Sequence, residues 1–223
     1  MNVITKYQTI VEPKIELYNM DCMEYMKGLE DNAFDLAIVD PPYGIERFKK
    51  VTDTPSKKDV HAKRFQKMVL VNDTKPSKEY WKELFRVSKH QIVWGANNFT
   101  LPESEYFLIW DKKQAMPNFA RCEMAYVSMS LKTPAKIYEY SIHKHNQVDK
   151  IHQTQKPVSL YEFCLMNYAK EGDKILDTHL GSGSSAIAAY NYKFDFVGLE
   201  IDKEYFDAAV KRFNNHKSQL TMF

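Results

Sequence analysis

Apolar positions along this chain fall into two rhythms, short unbroken runs of strand length and longer stretches with helical spacing. Leu36, Ala37, Ile38 and Val39 follow one another without a polar break, which predicts a strand buried on both faces. Residues 91–95, 106–110, 123–131, 174–177 and 194–199 read as further strands. Helical spacing predicts helices over 22–29 and 186–192. It predicts two more over 76–89, with Tyr80, Leu84, Phe85 and Val87 on its apolar side, and over 158–170, with Leu160, Phe163, Cys164 and Tyr168. This alternation is that of an α/β fold, and no internal repeat interrupts it.

Two strand ends carry chemistry. Asp40, Pro41, Pro42 and Tyr43 follow the 36–39 run, and in an open α/β sheet the carboxyl edge is where ligands bind. Two prolines remove two backbone donors and leave carbonyl oxygens facing outward. Ionised Asp40 and the Pro41 carbonyl could then accept both hydrogens of an aromatic amino group, with the Tyr43 ring as a stacking face. A flipped-out nucleobase meets that description, as against a strand ended by a proline turn. The second end is Asp177, followed by Thr178, His179, Leu180, Gly181, Ser182, Gly183, Ser184 and Ser185 and then a helix. Glycines allow close backbone approach, and the helix start, capped by Ser184 or Ser185, offers amides to an anion. The next strand runs into Glu200 and Ile201, where the acid of a nucleotide fold would meet a ribose.

Length and charge narrow the class. A chain of 223 residues with this pattern is expected to form one domain with a sizeable core. Its net charge of +2 hardly attracts nucleic acid globally, so binding would rest on local charge. Residues 46–69 supply it: Lys57, Lys58, Lys63 and Arg64 stand among few apolar residues, which predicts a mobile loop able to reach phosphates, or else a solvated surface loop. Asn97 and Asn98, after the 91–95 strand, could read base edges or make a turn. Cys22, Cys122 and Cys164 are too few and too far apart for a disulfide framework or zinc ribbon, which predicts a reducing compartment. With neither a signal peptide nor a membrane-length apolar run, the expected location is cytoplasmic, without membrane insertion. His143, His145 and His152 lack the acid or cysteine that would complete a ligand set, so no metal is expected.

Four motifs together carry a resemblance that covers most of the chain: DPPYGI at 40–45, HQTQKPVSL at 152–160, DTHLGSGS at 177–184 and VGLEID at 197–202. The chain resembles S-adenosylmethionine-dependent DNA amino-methyltransferases, which act on adenine N6 or cytosine N4. Because the catalytic tetrad precedes the glycine turn, the resemblance is to the beta group, a permuted arrangement of the class I, Rossmann-like methyltransferase sheet, mostly parallel with an antiparallel strand. It implies a catalytic set of Asp40, Pro41, Pro42 and Tyr43. It further implies a cofactor site formed by Asp21, Cys22, Asp177, His179, Gly181, Ser182, Gly183, Ser184, Glu200 and Ile201. Lys156, in a motif that lies against the methionine part of the cofactor, would meet its carboxylate. Implied partners are double-stranded DNA and, as often in this group, a second copy in a homodimer. Aspartate at position 40 favours adenine, since cytosine-specific members more often carry serine there.

The chain departs from the family pattern at Thr178 and His179, where proline and phenylalanine are usual, and at Gln153, where proline is usual. A histidine against the cofactor would weaken binding if protonated. The recognition region of larger relatives shrinks here to about residues 132–150. Two other readings stay open at this point: a non-catalytic nucleic-acid-binding subunit of methyltransferase shape, and a nicotinamide-dependent oxidoreductase suggested by the glycine turn alone, which leaves Asp40 without a role.

Overall fold

The structure is a computed structural model that describes residues 12–44, 74–117, 119–145, 150–152 and 154–220. The basic stretch with Lys57, Lys58, Lys63 and Arg64 lies outside the described residues, as does Gln153.

An eight-stranded sheet in the order β1-β8-β7-β2-β3-β5-β4-β6 forms the middle layer. The strands are β1 (Ile15–Asn19), β2 (Phe34–Val39), β3 (Ser88–Trp94), β4 (Phe107–Asp111), β5 (Cys122–Val127), β6 (Lys136–Glu139), β7 (Lys174–Asp177) and β8 (Asp195–Glu200). Every pairing is parallel except those of β5 with β3 and β4. The central strand β2 is buried at Phe34, Leu36, Ala37, Ile38 and Val39, as its unbroken apolar run requires of a strand covered on both faces.

Helices α1 (Cys22–Lys27) and α2 (Lys78–Val87) cover one face. Helices α4 (Val158–Tyr168), α5 (Ser184–Asn191) and α6 (Lys203–Leu220) cover the other, and the short α3 (Ile142–His145) follows β6. Helix α2 buries Tyr80, Leu84 and Val87, one helical stripe, and begins where the Ser77 hydroxyl accepts from the Tyr80 amide at 3.2 Å. It stops two residues before the predicted end because Ser88 is already extended and its hydroxyl closes on the Leu84 carbonyl at 2.6 Å. Arg86 donates to the Met26 and Leu29 carbonyls at 2.8 and 2.7 Å, satisfying the open end of α1 and joining the two helices.

From β2 the chain crosses to β3 on one side, and from β7 it crosses to β8 on the other. The strand order therefore reverses between β7 and β2, the point at whose carboxyl edge open α/β sheets form their ligand crevice. Because these two strands are adjacent and parallel, Asp40 and the 181–183 turn lie at the same edge of the sheet.

Three differences from the sequence pattern have local causes. The 123–131 strand ends at Val127, where Ser128 accepts from the Gln91 amide at 3.0 Å and a 3₁₀ turn takes over at Met129–Leu131. Segment 132–150 contributes β6 to the sheet edge, paired with β4, together with α3. Neither Ser184 nor Ser185 caps α5: the cap residue is Gly183 at φ 72, and the two hydroxyls turn inward to other partners.

Candidate active site

Asp40 leaves β2 at the crevice with both carboxylate oxygens engaged. Oδ1 accepts from the Tyr43 hydroxyl at 2.6 Å, and Oδ2 accepts from the Lys156 ammonium. The same ammonium reaches the Tyr43 hydroxyl at 3.2 Å and lies 5.6 Å from the Tyr43 ring. The Tyr43 ring rests on the backbone of Gly95 so closely that a Cβ there would stand 2.2 Å from it. A side chain at 95 would displace the ring, and φ of +70° disfavours one in any case. Burial, then Asp40 and Glu123, push the Tyr43 phenol well above its ordinary pKa, so it stays a neutral donor.

Behind Asp40 stands a second carboxylate that the sequence reading passed over. Glu123, at the start of β5, lies 3.3 Å from the Lys156 ammonium through Oε2 and 2.5 Å from Lys112 through Oε1. Burial alone would lower the Lys156 pKa, but Asp40 and Glu123 outweigh it and raise it. Burial works against Glu123 too, yet Lys156 and Lys112 pull its pKa down to about 2. Lys156 and Glu123 are therefore both charged at neutral pH. Removing one partner would strand a buried charge, at a cost of roughly 3–5 kcal/mol. The available signal was an acid opening an otherwise apolar strand, Glu123 before Met124 to Val127.

The glycine turn follows β7. Asp177 is fully buried, and its carboxylate accepts from the Ser185 hydroxyl at 2.6 Å and the His179 amide at 3.0 Å. Burial nevertheless raises its pKa to about 7. Gly181 donates to Glu200 Oε2 at 2.9 Å, tying the turn to the end of β8. Gly183 packs its α-carbon side on Ala209 of α6, and the Ser184 hydroxyl donates to the Lys156 carbonyl at 2.8 Å, which joins the turn to the 152–157 segment. Ser182 is buried beside Ser184, 3.1 Å between hydroxyls. On the far side Asp21 caps α1, accepting from the Met23 amide at 2.8 Å, with Cys22 following at half burial; Ile201 is exposed beyond Glu200. His179 sits edge-on to Tyr80, and Thr178 links the two rings at 2.9 and 2.7 Å. Burial pushes the His179 imidazole down to about 4.

The remaining candidates fall into place around this edge. His152 packs edge-on to Tyr205 and lies against the Gly181 α-carbon, so the 152–156 segment covers the turn. Its lysine, expected at a cofactor carboxylate, has its ammonium on Asp40 and Glu123, and an arriving carboxylate would compete with both. Asn98 closes a 3₁₀ turn onto the Gly95 carbonyl at 3.0 Å, while Asn97 is exposed beside it. His145 meets the Gln155 backbone oxygen at 2.6 Å, and because a carbonyl only accepts, the proton is on Nε2. No group of three His, Cys, Asp or Glu among the described residues could hold a metal.

A sequence model described as DNA methylase, of the N6/N4 type, matches residues 63–211, two thirds of the chain. The chain belongs to the N6/N4 DNA methylase family. The matched span includes the glycine turn, Glu200, Lys156 and Glu123, while the tetrad at 40–43 precedes it. The methylase is 25% identical over 240 residues to the type II methyltransferase M.HpaI of Haemophilus parainfluenzae, covering 87% of this chain and 73% of that protein. It is 23% identical to M.HinfI of Haemophilus influenzae, over 88% of this chain and 67% of that protein. In fold it is similar to M1.HpyAVI, solved as a complex with SAM, at a TM-score of 0.56 and 20% identity over 90% of this chain and 99% of that one. The PvuII DNA methyltransferase, described as cytosine-N4-specific, aligns over 95% of this chain and 96% of its own at a TM-score of 0.54 and 11% identity. The mixed sheet of this chain thus matches the class I DNA methyltransferase fold of these neighbours.

Proposed function

We propose that this methylase transfers the methyl group of S-adenosylmethionine to the exocyclic N6 of an adenine extruded from double-stranded DNA. The observation that carries the reading is the pairing of Asp40 with the glycine turn at one edge of the sheet, across the β7–β2 reversal.

The residues of the crevice fit the cofactor. Asp177 feels the charges of both Asp40 and Glu200, so the edge is a cluster of carboxylates suited to a ligand with cationic sulfur and ammonium groups. Glu200 would take the ribose hydroxyls, the Gly181 to Gly183 backbone with Ser182 and Ser184 would line the turn, and Asp21, Cys22, Asp177, His179 and Ile201 would complete the wall. When bound, the cofactor supplies a methyl already activated by its positive sulfur, which leaves no nucleophile for the protein to generate.

The protein's part concerns the amino group. An exocyclic nitrogen gives its lone pair to the ring; acceptors for its two hydrogens favour a pyramidal nitrogen with that pair exposed. Asp40 and the Pro41 carbonyl are those acceptors. Tyr43, held on Gly95, supplies the face on which the base stacks, and a fixed in-line approach provides much of the rate. The aspartate at 40 supports adenine over cytosine. After incubation with the enzyme and cofactor, digestion of mixed-sequence DNA to nucleosides should release 6-methyladenine; 4-methylcytosine in its place would overturn the base assignment, and no methylated amino group would overturn the activity.

A further inference from the structure

We propose that Glu123 is a positioning residue that takes over the Lys156 ammonium when Asp40 turns to the target amino group, so that one lysine serves two carboxylates in succession. This rests on the reading of Asp40 as acceptor of the amino hydrogens, and concerns how Asp40 is freed for that task.

Both oxygens of Asp40 have partners. Tyr43 holds one at 2.6 Å and Lys156 holds the other. A carboxylate has lone pairs to spare, so hydrogen-bond capacity is not the obstacle. Charge is. The amino nitrogen gains positive charge as the methyl arrives, and an ammonium on the same carboxylate opposes that gain, most strongly in a site removed from water. The Lys156 side chain is only 4% exposed, so solvent screens it little.

Glu123 provides the alternative. Its Oε1 is anchored by Lys112 at 2.5 Å. Its Oε2 is buried and already pairs with the Lys156 ammonium at 3.3 Å, a longer contact than that ammonium makes with Asp40. Shortening that ion pair would draw the ammonium off Asp40 without bringing in a new partner. The movement needed is a side-chain rotation, because the Lys156 backbone is fixed by the Ser184 hydroxyl on its carbonyl at 2.8 Å. No proton changes hands: Lys156 stays an ammonium throughout. The Lys156 pKa, raised above its usual value by the two acids together, agrees with that.

The test is Glu123→Gln, which keeps the size and a carbonyl acceptor but loses the charge that draws Lys156 away. We expect kcat to fall at least tenfold with the Kd for S-adenosylmethionine unchanged. Adding Lys156→Met to Glu123→Gln should restore part of kcat, since no ammonium then opposes Asp40, whereas a structural role for Glu123 makes the double variant no faster than the single one. Glu123→Asp, which retains the charge, should stay within about threefold of the wild-type rate. A readout independent of turnover is the ¹H–¹⁵N signal of the Lys156 ammonium, which should shift when DNA joins the complex with S-adenosylhomocysteine, and should not shift in Glu123→Gln. Wild-type kcat in Glu123→Gln, or a Lys156 signal indifferent to DNA, overturns the proposal and leaves the role of Asp40 intact. Wild-type kcat in Asp40→Asn, run alongside, overturns both.

Discussion

Single residues at the crevice floor set how this methylase responds to pH. Burial holds the Asp177 carboxyl at about 7, against the bonds from Ser185 and the His179 amide. Burial also holds His179 neutral down to about 4. Between pH 8 and 6, then, Asp177 takes up the proton and His179 does not. The departure from the family pattern at His179 consequently carries no charge into the working range. A cationic cofactor binds better beside an ionised Asp177, so affinity should rise as pH goes from 6 to 8. Titration calorimetry should find that rise preserved in His179→Phe and removed in Asp177→Asn; a rise removed by His179→Phe instead would reverse the assignment. The sign for stability is opposite. The folded pKa of Asp177 lies above its ordinary 3.8, so its favourable contribution is complete below about pH 4 and is lost as pH rises through 7. Asp177→Asn should therefore raise Tm more at pH 8 than at pH 5, as thermal melts at the two values will show.

At the scale of elements, the strand ends act as tools only because particular contacts fix them. The end of β3 is shaped to receive Tyr43: Gly95 has φ +70°, and any Cβ there would meet the ring at 2.2 Å. Gly95→Ala should destabilise the fold by roughly 1–3 kcal/mol through backbone strain and the displaced ring. It should also lower kcat without changing cofactor affinity, since the glycine turn lies across the crevice. A Gly95→Ala enzyme that melts and turns over like wild type would show that Tyr43 is not held there. The apolar runs of β2, β7 and β8 were legible because each strand is buried on both faces and needs no partner to declare it. The edge strands β1 and β6 were not: Glu16 interrupts one, and the other, Lys136–Glu139, alternates half-buried and exposed residues over four positions only, with its isoleucine on the exposed side. Helix α6 also escaped notice, its apolar residues diluted by lysines, asparagines and acids. The tetrad and the glycine turn could be read as motifs because their chemistry is contiguous. The Asp40–Lys156–Glu123 cluster could not, because its members come from β2, β5 and the 152–157 segment and meet only in the folded sheet.

On the scale of the whole molecule, the fold divides the work between two half-sites. One chain crossing leads from β7 through the glycine turn and α5 to Glu200; the other runs from β2 through Asp40 to β3 and Gly95. They share an edge because β2 and β7 are parallel neighbours, and they are held in register by the 152–157 segment, which touches Gly181 through His152 and Asp40 through Lys156. No helix among the described residues is long and apolar enough to cross a membrane. Two half-sites at one edge should be separable by a single substitution. The measurement that tests this most directly is Asp40→Asn, assayed both for S-adenosylmethionine binding by calorimetry and for single-turnover methyl transfer to DNA. The account predicts a wild-type Kd with transfer slowed on the order of 10²–10³-fold, the scale expected when one directed contact to the reacting group is removed. Transfer at the wild-type rate would contradict it.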